Sequence, residues 1–238
     1  MVGWEAYLGR KRFPLSELIA EYARRRSFIC PVICGPKRVG KSVLAIRCVA
    51  QALRLLKAAK SAEEAFEEAL KRVAFTPEEV FELIDRGYRV IVWDDAGAWI
   101  GTYRWYSEQH HDMLVKFLEY WNVIGTDVYA LVMTTPSIMY LPPKVRDDEC
   151  TVEVHLSIIG SEVRFGRRWR RVMATMYSHR WDVYGRRLKV KEHDAFTALI
   201  MLPDPVYREY LKRRERYAKL VGDSLKAELE AAKRVWAG

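Results

Sequence analysis

The hydrophobic positions of this chain change period along its length, and the changes mark out alternating strands and helices. Ser27 to Cys34 is largely apolar and β-compatible, whereas Val43 to Ala50 carries its apolar residues at helical spacing. Arg89 to Trp93 and Val128 to Met133 are continuous apolar runs of the kind found in strands buried on both faces of a parallel sheet. Between them lie amphipathic segments with recognisable ends. Leu15 to Arg26 reads as a short basic helix. Ser61-Ala62-Glu63-Glu64 and Thr76-Pro77-Glu78-Glu79 read as capping boxes, the second with proline at the first helical position. The helix opened at Ser61 runs to about Arg72, and the one opened at Thr76 ends at Gly87. Val73-Ala74-Phe75 is a brief strand, and a further helix begins at Ser107 with Leu114, Phe117, Leu118 and Trp121 on one face. This alternation predicts a parallel α/β sheet with helices on both faces.

Beyond Pro143 the texture changes. Thr151 to Ile159 predicts a strand, Arg170 to Ser178 with Val183 to Lys191 predicts a β-hairpin around Gly185, and Pro205 to Trp236 predicts a long basic helix. Tyr210, Leu211, Tyr217, Leu220 and Leu225 are that helix's expected packing residues. The chain therefore divides into an N-terminal helical segment (1–27), an α/β core (28–150), a β-rich basic extension continuing the core (151–202) and a C-terminal helix (203–238).

Between the first strand and its helix stands Gly35-Pro36-Lys37-Arg38-Val39-Gly40-Lys41-Ser42, followed by Val43, which matches G-x-x-x-x-G-K-[ST] at every fixed position. The flanking strand and helix give the motif a physical meaning. Gly35 and Gly40 let the backbone wrap closely around phosphate oxygens, and the amides opening the helix point at the anion. Lys41 is placed to reach the β- and γ-phosphates, and the Ser42 hydroxyl to bind Mg²⁺. A chance glycine turn is the competing reading.

The run ending at Trp93 is followed by Asp94-Asp95, two carboxylates at the C-terminal end of a buried strand, where α/β sheets bind ligands. Asp94 is the candidate Mg²⁺-holding carboxylate, and Asp95 the group that orients or deprotonates an attacking water. Taken alone, such a pair reads equally well as a strand-to-loop turn.

Composition narrows the class. The chain has 238 residues with Lys+Arg 40 against Asp+Glu 31, a basic balance compatible with a nucleic-acid partner. No stretch approaches the ~18 apolar residues of a membrane span, and no signal-peptide pattern opens the chain, so the expectation is a soluble cytoplasmic protein without a membrane partner. Asn122 is the one asparagine, and Gln51 and Gln109 are the two glutamines, while charged residues reach 30%. Scarce amides with abundant Lys, Arg and Glu suggest a hyperthermophilic source. Cys30, Cys34, Cys48 and Cys150 show no zinc spacing, and the adjacent His110 and His111 would splay onto different helix faces. A Cys30–Cys150 disulfide is the pairing that a hyperthermophile could carry.

The order of P-loop, Asp94-Asp95 strand end and a strand ending in Thr134-Thr135 resembles the additional-strand class of P-loop ATPases, which includes AAA+ and FtsK/HerA-type proteins. The stretch Asn122 to Arg146 resembles the corresponding part of HerA-type and Zot-like ATPases of viruses and plasmids, and the form of the P-loop resembles archaeal ATPases. The resemblance covers roughly residues 28 to 150. It implies a P-loop NTPase three-layer sandwich of mostly parallel strands in the order 5-1-4-3-2, with ATP and Mg²⁺ as cofactors. It also implies that Thr134 or Thr135 is a γ-phosphate sensor. Arg146 reads either as an arginine finger donated to a neighbour in a homo-oligomeric, hexamer-like ring, or as a surface arginine in a loop. Two departures stand out. Asp95 occupies a position where glutamate is usual, and Asp-Asp there also resembles DnaC/IstB-like helicase loaders. Thr135 stands where the HerA group commonly has glutamine.

From Arg164 to Lys191 the chain is densely basic, with aromatics interleaved and Asp182 the one acid. Arg167, Arg168, Arg170, Arg171, Arg186 and Arg187 are the candidate DNA contacts, since cations that neutralise phosphates beside rings that stack on bases suit such a surface. A hairpin whose edge is protected by charge is the competing reading. The expected function is a Mg²⁺-dependent ATPase acting on DNA, as a packaging or transfer motor or a replication-associated ATPase of an archaeal mobile element. The alternatives are an ATP-gated adaptor such as a helicase loader, with Trp99 to Tyr106 as its contact loop, and a small-molecule kinase.

Overall fold

The apolar runs at Cys30, Val90 and Ala130 become neighbouring strands because each is too hydrophobic to leave either face in water. The computed structural model describes residues 3–9, 11–101, 108–181, 187–190 and 195–236, and their side chains except in 108–110, 179–181, 187–190, 224–225 and 227–236. In chain order the elements are α1 (Trp4–Leu8), α2 (Pro14–Arg25), β1 (Cys30–Cys34), α3 (Lys41–Leu55), α4 (Ala62–Lys71), β2 (Val73–Ala74), α5 (Pro77–Asp85), β3 (Val90–Trp93) and α6 (Glu108–Trp121). They continue as β4 (Ala130–Thr135), α7 (Pro143–Arg146), β5 (Thr151–Arg164), β6 (Arg167–Trp181), β7 (Arg187–Val190), β8 (Phe196–Leu199) and α8 (Asp204–Trp236). The predicted start of α6 at Ser107 and the predicted turn at Gly185 lie outside the described residues.

One sheet holds these strands in the order β2-β3-β4-β1-β5-β6-β7, with β8 paired to β6. β1 to β5 run parallel, and β6 turns back antiparallel on β5. Strand alternation divides the apolar residues between two faces. Ile91 and Trp93 of β3 and Leu131 and Met133 of β4 join Cys30 and Val32 of β1 in one cluster with Val80 and Leu83 of α5 and Leu114, Phe117 and Trp121 of α6. On the opposite face α3 packs on β1, β3 and β4, and is itself covered by α2 and α4. Ile33, Ile46 and Ile91 are wholly buried. Each such side chain contributes ~1.5–3 kcal/mol.

Both predicted N-caps form: Ser61 Oγ accepts from the Glu64 amide at 3.1 Å and Thr76 Oγ1 from the Glu79 amide at 3.2 Å. The reciprocal carboxylates reach one residue further back than in a standard capping box, Glu64 to the Lys60 amide and Glu79 to the Phe75 amide, both at 2.6 Å. The N-terminal segment is anchored through Gln51 of α3. Its side chain accepts from the Phe13 amide and Ser16 hydroxyl and donates to the Leu8 and Lys11 carbonyls, so a buried amide is satisfied on both ends.

The predicted hairpin is corrected in its main pairing. Arg170 to Ser178 belongs to a longer strand whose partner through most of its length is β5, closed by a tight turn at Phe165 (φ +53°) and Gly166 (φ +72°). β7 pairs only with the far end of β6, from Ser178↔Val190 to Trp181↔Arg187. None of the four cysteines is disulfide-bonded, including Cys30 and Cys150, which are joined instead by a backbone hydrogen bond of 2.9 Å. Burial raises both of these thiols far above the ordinary range, and pushes Cys48 up to about 12. The chain divides into two compact units, Met1–Leu202 and Pro203–Gly238. In the second, Val206 and Tyr210 are buried, but Leu220, an expected packing residue, is 56% exposed. No helix among the described residues is long and apolar enough to cross a membrane.

Candidate functional site: a P-loop between two strand ends

β1 ends at Cys34 and the chain turns at once through the glycine loop into α3. The loop can follow this path only because two of its residues lack a Cβ. At Gly35 (φ +145°) a Cβ would stand 2.7 Å from the Leu156 carbonyl oxygen, and at Gly40 (φ +105°) it would stand 2.2 Å from Ile200 Cγ2. The antiparallel extension thus presses directly on the loop through β5 and the residue after β8. Gly40 occupies the N-cap of α3 without a side-chain cap. The amides that open α3 therefore have no side-chain oxygen at the cap to occupy them, which is the electrostatic requirement for an anion at a helix N-terminus. Lys41 donates from Nζ to the Gly35 and Pro36 carbonyls at 3.0 and 3.1 Å, holding its ammonium across the loop. Val39 is buried beneath the loop, and Lys37 and Arg38 are exposed on it.

Asp94 emerges from β3 beside this loop, wholly buried. Its Oδ1 accepts from Ser42 Oγ and from Thr134 Oγ1, both at 2.6 Å. Thr134 also accepts from the Asp95 amide at 2.9 Å, so one hydroxyl links the two consecutive residues at the β3 end. Asp95 itself sits in the left-handed region at φ +54°, a conformation aspartate tolerates better than most residues. A buried carboxylate with two charge-assisted hydrogen bonds is held in one position rather than merely accommodated.

Alternation separates the two threonines. Asp94 follows the parity of Val90 and Val92, and Thr134 that of Ala130 and Val132, so both point to the α3 side of the sheet. Thr135 takes the opposite parity, and its hydroxyl donates to the Ser137 carbonyl at 3.1 Å. Ser42, Asp94, Asp95 and Thr134 are brought together; Thr135 is turned away. Arg146, at the end of α7, pairs with Asp147 of its own chain at 3.3 Å.

The basic positions separate just as clearly. Arg170, three residues into β6 from the turn, donates to the Arg38 carbonyl of the P-loop, a contact that nothing in the local sequence announces. Arg171 and Arg164 converge on Glu162, whose carboxyl the Arg164 and Arg171 guanidiniums hold below the usual carboxylate range. Arg167 and Arg168 are exposed beside the turn, and Arg187 lies opposite Trp181 in the ladder. Arg186 lies outside the described residues. Of the interleaved aromatics, Phe165 packs on Tyr7 with ring centroids 5.4 Å apart, Trp169 donates to the Arg164 carbonyl, and Tyr177 meets His155 edge-on. Arg47 of α3 fastens the extension from the other side, donating to the Leu199 carbonyl at 2.7 Å, with its pKa lowered to about 10 by burial.

A strand, a glycine loop with a lysine folded over it, a helix opening on a serine, and a neighbouring strand end whose buried aspartate binds that serine together form a P-loop set in an α/β sheet. No family model matches the chain. An uncharacterized protein, B-251, of Sulfolobus spindle-shape virus 1 is 24% identical to it over 233 residues, covering 87% of this chain and 82% of the viral one. Among solved structures, the flagellar accessory protein FlaH from Methanocaldococcus jannaschii aligns at 15% identity with a TM-score of 0.33, over 63% of this chain and 77% of that one. A KaiC-like protein from the hyperthermophilic archaeon Pyrococcus horikoshii OT3 aligns at 11% identity with a TM-score of 0.33, over 69% and 90%. At such distances the geometry of the site, not kinship, carries the functional reading.

Proposed function

We propose that this chain is a Mg²⁺-dependent ATPase of the additional-strand class that acts on DNA, in the service of a mobile element. The observation that carries the proposal is the hydrogen-bonded set Ser42–Asp94–Thr134 at the mouth of the P-loop. Ser42 Oγ and Asp94 Oδ1 are hard oxygen donors 2.6 Å apart, a donor set that suits Mg²⁺. Ser42 and Asp94 would hold the ion, which would supply positive charge to offset that of the bound phosphates. Lys41 and the amides opening α3 bind the β- and γ-phosphates and stabilise charge developing on the transferred group. Asp95 orients the attacking water. Thr134 is the better sensor of the two threonines, because a change at its hydroxyl is felt at both Asp94 and the Asp95 amide.

The position of β4 between β1 and β3 supports the additional-strand class, with an AAA+ or HerA-like relative as the expected subclass. No N/TKxD guanine-reading motif is present, so ATP is the assigned nucleotide. Arg167 and Arg168 supply the exposed charge for DNA, while Arg146 is the finger candidate if subunits form a ring. The viral relative suits a mobile-element role.

The test is Mg²⁺-dependent ATP hydrolysis at elevated temperature, with and without single- and double-stranded DNA, against Lys41→Ala as blank. Strong stimulation by DNA supports the motor reading. Slow turnover that ignores DNA while ATP remains bound supports a second reading, an ATP-gated adaptor. One feature favours that second reading: Asp95 is one methylene shorter than the usual glutamate and is held at φ +54°.

A further inference from the structure

Three residues of different chemistry meet where β1 runs into the P-loop. In the β1–β5 ladder Val32 lies opposite Glu153 and Cys34 opposite His155. Side chains two apart share a face, and parallel partners in register share it too, so Cys34, Glu153 and His155 all project to one side of the sheet. Their candidate ligand atoms lie within 4.8 Å of one another. Glu153 and His155 are in direct side-chain contact, and Tyr177 closes the edge of the imidazole. Glu153 is 3% exposed, although it sits on a strand with a solvated far end. A carboxylate buried that deeply is retained where it is paired or coordinates a cation.

We infer that Cys34, Glu153 and His155 form a binding site for a borderline transition-metal cation of the zinc class, beside the P-loop and separate from the Mg²⁺ donors Ser42 and Asp94. The donor set selects the metal. Thiolate and imidazole exclude Mg²⁺ and Ca²⁺, which take oxygen ligands, whereas sulfur, nitrogen and carboxylate oxygen together are a zinc combination. Tetrahedral ligands at zinc distances stand ~3.3–3.8 Å apart, so small rotamer changes close the site without moving the strands. Three protein ligands leave a fourth position, and the His155 side chain, 46% exposed, places that position toward solvent. An occupied site would cross-link β1 to β5 one residue before Gly35, whose carbonyl holds Lys41. The cation thereby stiffens the strand end from which the P-loop departs.

The experiment uses the full chain stripped of metal by a chelator, then titrated with Zn²⁺ against a chromophoric competitor and with Co²⁺ as a spectroscopic probe. The expected result is one tight equivalent, a Co²⁺–thiolate charge-transfer band and a higher unfolding midpoint with Zn²⁺. Cys34→Ser abolishes the band, and His155→Gln weakens binding at least ~10-fold. His155→Gln alters a side chain at the solvent edge, so an unchanged metal-free unfolding midpoint verifies that its fold is intact. Asp94→Asn retains the equivalent, since it touches only the nucleotide site. The inference is overturned if stoichiometry is the same in Cys34→Ser and His155→Gln, if Co²⁺ binds without a thiolate band, or if Asp94→Asn abolishes binding.

Discussion

The P-loop mouth and the β5–β6 hairpin are both rich in charge, but they are built on opposite principles. At the mouth the two central charges are buried and fixed by hydrogen bonds: Lys41 to two carbonyls, Asp94 to two hydroxyls. On the hairpin the cations are exposed, and their fates differ residue by residue. Arg164 and Arg171 share Glu162, Arg170 reaches back to the loop, and Arg167 and Arg168 lie exposed beside the turn. A charge at the mouth has a geometry, whereas a charge on the hairpin has mainly a location. Motif residues therefore make strong chemical statements here, while a basic stretch makes one only after its internally engaged arginines are subtracted.

The sharpest way to break the contrast is at the mouth. Lys41→Ala should lower kcat for ATP at least ~10²-fold, as expected for removing a donor aimed at transition-state charge, with little change in the unfolding midpoint. Thr134→Val should come next. It leaves the buried Asp94 carboxylate one donor short and the Asp95 amide without its hydroxyl acceptor, costing about 1–3 kcal/mol in denaturant unfolding as well as turnover. Thr135→Val, whose hydroxyl serves a loop carbonyl, should spare turnover; equal losses at the two positions would dissolve the distinction between them.

On the hairpin the effects should be smaller and salt-dependent. Replacing Arg167 and Arg168 together by alanine should reduce the salt slope of DNA binding by about 2 while leaving DNA-free hydrolysis intact. Glu162→Gln should act in the opposite direction, releasing Arg164 and Arg171 and tightening DNA binding, as measured by anisotropy at fixed salt. If Glu162→Gln has no effect, those two arginines are no part of the surface. The smallest effect lies far from both regions: Ser61→Ala, which removes the α4 cap, should cost ~1 kcal/mol without touching activity.

The elements were legible where their signals are local. The caps at Ser61 and Thr76 stand where the sequence places them, and Leu114, Phe117 and Trp121 form the buried face of α6. β4 ends in Thr134-Thr135 as expected but begins two residues later than its apolar run. Val128 is held by a turn from Ile124, so the strand begins at Ala130. It continues through Thr134 and Thr135 because they pair with Ile33 and Cys34. The β5–β6 turn is not legible in the sequence because Phe165 is not a turn-forming residue; its pairing partners force it to φ +53°.

The P-loop is legible in the sequence alone, since strand, glycines, lysine, serine and helix are contiguous and need no distant partner to take their places. So is a buried strand ending in Asp94. It takes the folded sheet to bring Thr134 and not Thr135 to Asp94, to draw Arg170 out of the basic stretch onto the loop, and to set Cys34 beside Glu153 and His155. Each of those outcomes depends on ladder register and strand parity between segments far apart in the chain. A one-residue slip would send each of these side chains to the other face.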